Sequence, residues 1–371
     1  MKRLLVCLFA LCAPSAAQIV PKVNLYTTYT DNLFLSASKR GDLINAAYID
    51  LDYIDLDYIS SADLGLYYSG SANVFSDNTD LFSHLHALGL SFSHPLGSDG
   101  LLLAGGELGL RLDRPLYNYR DFAVGRAFAS LKGYLRPELL ARLSYNARYQ
   151  HFLNAADYTY LEQRIAAQLT RYLPSHTTLQ MSGEFGLKTY AQPAEAAPSA
   201  NLSSRPGQDR NLLQWVGRTR VAQALGANTG LQLEWVLRRN LTGQSRFAAP
   251  VFYNPDDDLF DDRYSYQGGQ IGTTLKYLGP WHSELVGRLQ REHRDYDSRP
   301  AYDLDGFPTG RSASETRRSA SLGISRTYYP ENSRIQQVDI EVEWLYRAID
   351  SNDAFYDASA RSYSMGIQLG F

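Results

Sequence analysis

Cysteine is almost absent from this sequence of 371 residues, because Cys7 and Cys12 are the two that it contains. Residues 18–371 carry no thiol, which excludes disulfides, cysteine-ligated zinc and cysteine nucleophiles from that part of the chain. Long apolar runs are lacking as well. After the N-terminal segment, no stretch approaches the ~18 consecutive apolar residues that predict a transmembrane helix.

An excess of charge of one sign is also missing. The formal net charge is -3, and it becomes -5 without Lys2 and Arg3, since each carries one positive charge. Such mild acidity gives no reason to expect a nucleic-acid partner.

Histidine is scarce, with seven residues in the chain. Four of them fall at predicted strand ends or turns without a recognisable Ser or Asp motif: His151, His176, His282 and His293. His84 and His86 share one strand face, a spacing that suits a metal ion, yet the same face continues through Leu88 and Leu90. We expect this pair at the lipid interface near the outer rim, and we expect neither enzymatic activity nor a cofactor.

The first seventeen residues predict a secretory signal peptide. Lys2 and Arg3 form a basic n-region, Leu4 to Leu11 form an apolar h-region, and residues 15–17, Ser-Ala-Ala, form a small-residue cleavage site. The sequence therefore predicts a signal peptide over residues 1–17 and one exported domain over residues 18–371.

Alternation of apolar and polar residues recurs in many segments, whereas helical periodicity is hard to find. In LLARLSYNARYQ, residues 139–150, Leu, Ala and Tyr take one face, and Arg, Ser, Asn and Gln take the other. The same division appears in residues 177–190 and 338–347. Period-two alternation predicts β-strands with one dry and one charged face. Tyr, with 27 residues, is a side chain that gathers at membrane interfaces.

Turn signals occur in two lengths. Seven short turns rich in Gly, Pro, Asn or Ser alternate with eight longer and more polar connections, which gives sixteen strands. An even strand number, with short turns at one end and long loops at the other, is typical of outer-membrane barrels. The predicted fold is therefore all-β, a transmembrane antiparallel up-and-down β-barrel of about 16 strands.

The chain ends YSMGIQLGF, in which Tyr363, Met365, Ile367, Leu369 and Phe371 alternate with small or polar residues. This segment resembles the C-terminal signature of Gram-negative outer-membrane proteins, whose last strand ends in Phe. The resemblance implies a porin-like barrel in the bacterial outer membrane. The implied partners are the barrel-assembly machinery, which recognises the terminal strand, and outer-membrane lipid with lipopolysaccharide. A homo-oligomer is a further open interpretation.

A barrel of sixteen strands is too wide for side chains alone to fill, so we expect a water-filled lumen. Positions opposite the apolar face supply the lining, and both signs of charge are present. The predicted pore-lining residues are Asp50, Asp52, Glu107, Arg111, Arg142, Arg148, Arg164, Glu184, Lys188, Arg218, Arg220, Glu234, Arg238, Glu284, Arg288, Glu341 and Glu343. As a set they predict a transverse field that orients polar solutes. For any one of them, solvated or paired filling of the barrel is the simpler interpretation.

The most acidic stretch, PDDDLFDDR, covers residues 255–263. Its carboxylates are candidate ligands of a divalent cation: Asp256, Asp257, Asp258, Asp261 and Asp262. Hard cations prefer oxygen ligands, but the stretch lacks the Gly and the terminal Glu of an EF-hand loop. A solvated acidic loop is the interpretation that we favour.

These patterns together predict a porin-like channel for passive diffusion of small polar solutes. Two alternatives stay open, an export channel for a polymer or protein, and a barrel that anchors a surface or periplasmic partner. The long connections over residues 191–210 and 243–262 fit each interpretation, because such loops can fold inward as a constriction or project outward as a binding surface.

Residues 48–57 repeat the sequence YIDLD twice. Because the repeat has odd length, a regular strand places the two copies on opposite faces and points one pair of aspartates toward lipid. We expect a β-bulge at Tyr53 and Ile54 that restores the faces. The alternative is that the second copy lies in the rim of the barrel, in contact with water.

Overall fold

A computed structural model describes residues 18–59, 62–191, 203–205, 209–243, 245, 247–249, 262–331 and 334–371. The predicted signal peptide lies outside these ranges. The described strands are β1 (Gln18–Thr30), β2 (Asp42–Ile59), β3 (Ala62–Phe75), β4 (Ser83–Leu96), β5 (Gly100–Asp113), β6 (Phe122–Arg136), β7 (Leu139–Phe152), β8 (Tyr160–Leu173), β9 (Thr177–Tyr190), β10 (Ser203–Arg205), β11 (Asn211–Ala224), β12 (Thr229–Thr242), β13 (Phe247–Ala249), β14 (Tyr266–Leu278), β15 (Ser283–Tyr302), β16 (Pro308–Tyr328), β17 (Gln337–Ser351) and β18 (Ala358–Gly370). Four short 3-10 helices are η1 (Thr79–Leu81), η2 (Pro115–Arg120), η3 (Ala156–Tyr158) and η4 (Arg263–Ser265). None of the described helices is long and apolar enough to cross a membrane.

Sixteen of these strands form one closed barrel, and β10 and β13 pair separately as a two-stranded sheet. Each strand is antiparallel to its neighbours, and consecutive barrel strands lie side by side around the whole ring. β1 closes the ring by pairing with β18, with Val23 opposite Leu369. Closure pairs the backbone of the first and last strands, so no strand edge is left open. The predicted all-β, up-and-down barrel of sixteen strands is confirmed.

The two ends of the barrel differ in the length of their connections. Seven connections join strands at one end and eight at the other, and the longest connections lie at the second end, as the sequence predicts. The connection between Tyr302 and Pro308 at the second end is nevertheless shorter than the one between Tyr328 and Gln337 at the first. All four 3-10 helices belong to the longer connections. The ends are called the turn end and the loop end below.

Each barrel strand turns one face outward and one inward. On β7, Leu143 and Tyr145 point outward and are 50% and 42% exposed, although both are largely apolar. Arg142, one position away, points inward and donates from Nε to Ser130 Oγ on β6 at 2.8 Å. An exposed apolar wall is what a lipid environment requires, because hydrocarbon cannot solvate polar groups.

The repeated YIDLD segment contains no bulge at the predicted position. β2 pairs in unbroken register with β1 as far as Ile54 and with β3 as far as Asp55. The register shift lies further along, between Asp55 and Ile59, beside the short turn. The prediction of a bulge at Tyr53 and Ile54 is therefore wrong. The described part of β1 pairs regularly with β2 up to Ile54, and the pairing of β2 with β3 becomes irregular at the turn instead.

Buried apolar residues, most of them aromatic, gather inside the barrel at the loop end. We call this group the loop cluster, and its members are Phe34, Leu81, Tyr117, Tyr119, Phe152, Ala155, Tyr158, Tyr160, Tyr190, Leu212 and Tyr264. Phe152, Tyr160 and Tyr190 lie on the inward faces of β7, β8 and β9, whereas the members from η1 to η4 come from the connections. Because these connections fold inward onto the wall, the hydrophobic core of the described chain lies within the barrel mouth.

Candidate functional site: the barrel interior

The segment that precedes β14 folds back across the inner wall. η4 adjoins β14 in sequence, yet its side chains reach strands further round the ring. Arg263 Nη2 lies 2.5 Å from Glu184 Oε1 on β9, and the Tyr264 hydroxyl donates to Glu162 on β8 at 3.0 Å. Burial raises the pKa of the Tyr264 hydroxyl, and the neighbouring Glu162 raises it further, so the phenol stays protonated as a donor. These contacts hold η4 against the wall of the lumen.

A buried ion pair fixes the start of the same segment. Lys188 Nζ on β9 lies 2.5 Å from Asp262 Oδ2, and Ser245 Oγ donates to the same carboxylate oxygen at 3.1 Å. Lys188 Nζ also lies 4.0 Å from the centre of the Tyr160 ring. A charge pair out of water needs close geometry and extra hydrogen bonds, and this one has both.

The acidic stretch is therefore not solvated at Asp262, contrary to the prediction, because this carboxylate neutralises the buried Lys188. The other four candidate metal ligands lie outside the described residues: Asp256, Asp257, Asp258 and Asp261. Within the described part of the chain, no cluster of three His, Cys, Asp or Glu side chains is placed to hold a metal ion.

Two cavities inside the barrel join along one wall. The upper cavity, of ≈ 660 Å³, lies beside the loop cluster, where Tyr117 and Tyr119 line it. The lower cavity, of ≈ 550 Å³, extends toward the turn end and reaches Glu341 and Glu343 on β17. Five residues line both cavities: Thr28, Ile44, Tyr48, Asn73 and Ser364. The two cavities thus adjoin each other beside β18, β1, β2 and β3, and together they are called the passage below.

Opposite walls of the lumen differ in charge near the turn end. Glu341 and Glu343 face inward from β17, and β7 lies eight strands away in either direction round the ring. The inward face of β7 carries Arg142, which lines a third cavity of ≈ 330 Å³ together with Lys132 and Arg220. A carboxylate-bearing wall therefore faces a basic wall across the lumen.

All seventeen predicted pore-lining residues occupy inward positions on their strands, and most of them are paired. Glu107 accepts from Arg126 at 2.6 Å and from the Tyr67 hydroxyl at 2.9 Å. Further pairs are Arg111 with Asp113 at 2.8 Å, Arg164 with Glu184 at 4.0 Å, Arg220 with Glu234 at 2.6 Å, Arg218 with Glu234 at 4.0 Å, Glu284 with Lys276 at 2.5 Å, Arg288 with Glu343 at 3.6 Å and Asp52 with Lys22 at 3.4 Å. The Arg238 guanidinium lies 5.5 Å from the centre of the Tyr266 ring. Their role along a permeation path stays a prediction.

The remaining four predicted residues are Asp50, Arg148, Arg142 and Glu341. Asp50 accepts from Ser69 Oγ at 2.6 Å, and Arg148 donates to Gln150. Arg142 and Glu341 make no ion pair with another described residue, and Glu341 is exposed inside the lumen. Because they make no such ion pair, these two side chains carry the least compensated charge of the predicted set. They stand on opposite walls of the lumen.

The histidine pair lies outside the lumen. His84 and His86 point outward from β4, on the face that also carries Leu88 and Leu90. The Tyr68 hydroxyl and His86 Nδ1 are 2.7 Å apart, and His84 Nδ1 lies 3.1 Å from His86 Nε2. The outward placement at the loop end agrees with the predicted lipid interface.

Sequence reasoning missed the loop cluster. A signal was present, since aromatic residues recur within long and otherwise polar connections, as in PLYNYR, residues 115–120. Both Tyr117 and Tyr119 of this segment are buried. Large apolar area in a connection indicates packing against another surface, because burial of such area is favourable. The surface against which this segment packs is known only from the folded barrel.

Several solved structures share this barrel architecture. OccK8 (OprE) and OpdL of Pseudomonas aeruginosa each match with a TM-score of 0.54, at 10% and 12% identity. The matches cover 96% of this chain, and 98% and 99% of theirs. The outer membrane protein OpdK of the same organism matches with a TM-score of 0.52 at 11% identity, over 95% of this chain and 99% of its own. The chain has the fold of an outer-membrane β-barrel.

This fold confirms the resemblance carried by the terminal strand. No protein-family model matches the chain, and no curated protein matches its sequence. At identities of 12% or less the three outer-membrane structures share the barrel's architecture with this chain, and the solute and the lining must be argued from its own residues.

Proposed function

We propose that this protein is a porin-like channel of the bacterial outer membrane, through which small polar solutes diffuse passively. The observation that carries the proposal is the passage, the two adjoining cavities inside the closed barrel. Its shared lining is mostly polar, with Thr28, Tyr48, Asn73 and Ser364. Hydroxyl and amide groups of this kind replace part of the hydration shell of a passing solute.

The charged walls supply orientation. Glu341 on β17 and Arg142 on β7 face each other across the lumen, so a dipolar solute in the passage turns its positive end toward β17. The loop cluster supplies a size limit, because its members Phe34, Leu81 and Tyr117 line the upper cavity itself.

Reconstitution in a planar lipid bilayer tests the proposal. The purified protein should insert and conduct ions in steps of uniform size. Ser364→Trp places an indole where both cavities meet, and it should lower the conductance of each step. Met365→Trp is the matched control, since Met365 is the next residue along β18 but points outward. It should leave the conductance unchanged.

Absence of conductance at any voltage, with a correctly folded barrel, would contradict the channel. That result would favour one of the alternatives, an export channel that opens with a partner, or a barrel that anchors one. Equal conductance in the Ser364→Trp and Met365→Trp variants would contradict the assigned passage.

A further inference from the structure

A groove runs obliquely across the outward face of the barrel. It has a volume of ≈ 1420 Å³ and follows two neighbouring rows of cross-strand pairs from β6 to β15. In one row Gly183 pairs with Gly217, Gly217 with Leu237, and Leu237 with Gly269. Three of these four positions carry no side chain, so the floor of the groove lies close to the backbone at Gly269, where no neighbouring ring covers it.

Large apolar side chains form the sides of the groove. Met181 and Trp235 belong to the second row, where they are 55% and 43% exposed. The Trp215 ring lies over Gly217, at 2.7 Å from the position of a Cβ there. The groove is thus apolar along the wall, and it is larger than the ~300–1,000 Å³ that drug-sized ligands occupy.

Cationic side chains stand at the end of the groove nearest the loops. The glycine row continues from Gly269 to His293 on β15, and the second row continues from Ile271 to Arg291. Arg291 in turn pairs with Arg318 on β16. Like charges directly opposite each other on neighbouring strands repel, so this arrangement is unfavourable without an anion nearby.

Carboxylates of the protein compensate these cations in part. Arg318 contacts Asp350, and His293 Nε2 lies 3.3 Å from Asp295 Oδ1. Arg291 is exposed and makes no ion pair with any other residue in the described ranges. One full positive charge at the end of the groove is therefore left for an external partner.

The position of Arg291 along the barrel axis indicates which part of the membrane surrounds it. It follows Ser283, the first residue of β15, by eight positions from the turn end. At ~3.3 Å per residue and a strand tilt of about 40°, this distance corresponds to a rise of about 20 Å along the barrel axis. The apolar band of such barrels is about 25 Å tall. Arg291 therefore lies near the boundary between hydrocarbon and headgroups on the loop side.

We propose that this groove binds an acylated lipid with a phosphate-bearing headgroup. The acyl chain lies over the glycine floor, and the phosphate contacts Arg291 beside Arg318. A lipid of this kind fits the groove, because its phosphate complements the positive charge of Arg291 and its acyl chain matches the apolar wall. The inference uses the outward face alone, so it stands apart from the proposed channel activity.

Native mass spectrometry of the purified barrel, titrated with dimyristoyl phosphatidic acid in detergent micelles, tests the proposal. The barrel should retain this lipid, and Arg291→Gln should weaken its binding about five-fold, the effect of one basic residue at a membrane surface. Gly269→Leu should abolish the retained lipid by filling the floor; a Cβ at this position meets its nearest neighbour at 3.7 Å.

Two matched controls point outward but lie outside the groove. Gly287→Leu on β15 adds the same side chain at a position with open space around it, and Arg239→Gln on β12 removes the same charge. Both should bind the lipid like the unchanged protein. Arg291→Gln alters an exposed side chain, so it keeps the test decisive if Gly269→Leu fails to fold.

Four results would overturn the proposal. Equal lipid affinity in the unchanged protein and in Arg291→Gln would contradict the headgroup site. Retention of phosphate-free dimyristoylglycerol equal to that of the phosphatidic acid would contradict it as well. Binding of inorganic phosphate as tight as that of the lipid would remove the role of the apolar groove. Dimers that disappear in Gly269→Leu would identify a second copy of the chain as the occupant.

Discussion

The unpaired carboxylate in the lower cavity makes ion selectivity the sharpest measurable property of this barrel. Glu341→Gln keeps the shape of the side chain and removes one negative charge from the wall at β17. Because Glu341 makes no ion pair with another described residue, the substitution leaves no cation stranded among them. We expect the channel to become less selective for cations.

The size of the effect follows from the width of the passage. A sphere with the volume of the lower cavity, ≈ 550 Å³, has a radius of about 5 Å, which sets the distance from the wall to the ion path. At about 5 Å in water, two unit charges interact by ~0.8 kcal/mol, and screening at 0.1 M salt reduces this to ~0.5 kcal/mol. This energy favours cations about 2.3-fold and disfavours anions about 2.3-fold, so the permeability ratio should fall about five-fold when the charge is removed.

Reversal potentials in a salt gradient across a planar bilayer measure this ratio. At 1 M salt, where the screening length is about 3 Å, the difference should shrink below about two-fold. Glu331→Gln is the control, since Glu331 is exposed on the short turn between β16 and β17 and carries the same charge. An unchanged reversal potential in Glu341→Gln at 0.1 M salt would refute the assignment of β17 to the ion path.

Two further variants test the basic wall and the loop segment. Arg142→Gln removes a cation from β7 and should shift selectivity toward cations; identical reversal potentials would show that this side chain does not face the path. Lys188→Met leaves the Asp262 carboxylate buried without its partner, which costs about 3–5 kcal/mol in comparable buried pairs. The folded form on an unheated denaturing gel should then be lost at lower temperature, and the double change Lys188→Met with Asp262→Leu should restore much of the loss. Equal melting of the single variant and the unchanged barrel would contradict a buried pair.

The barrel itself was predictable, because each residue that faces the hydrocarbon should be apolar whatever its neighbours are. Outward positions within the hydrocarbon must be mostly apolar, and this requirement produces a period of two in strands such as β7 and β8. Turn residues then mark where the strands end, so the strand count and the distinction between two ends follow from local signals. The inward placement of Arg142 and Glu341 follows from the same alternation.

The YIDLD repeat shows where local reasoning fails. Alternation within β2 predicts a conflict between its two copies, but the position of the irregular pairing depends on how far the neighbouring strands extend. β2 pairs regularly with the described part of β1 up to Ile54, and the shift in its pairing with β3 occurs past Asp55. The lengths of partner strands are set by the closed barrel, so the sequence of β2 does not contain them.

The sequence by itself determined the membrane-type barrel, its two ends and the face on which each charge lies, since these depend on the alternation and turn chemistry of single segments. The tertiary structure decided which charges meet. Asp262 neutralises Lys188, 74 positions before it in the chain, and Tyr264 reaches Glu162 on a distant strand. Such contacts arise because the loops bury their aromatic side chains inside the mouth of the barrel. The inner wall against which they pack forms only when the strands close into a ring, so it cannot be read from the sequence of one segment.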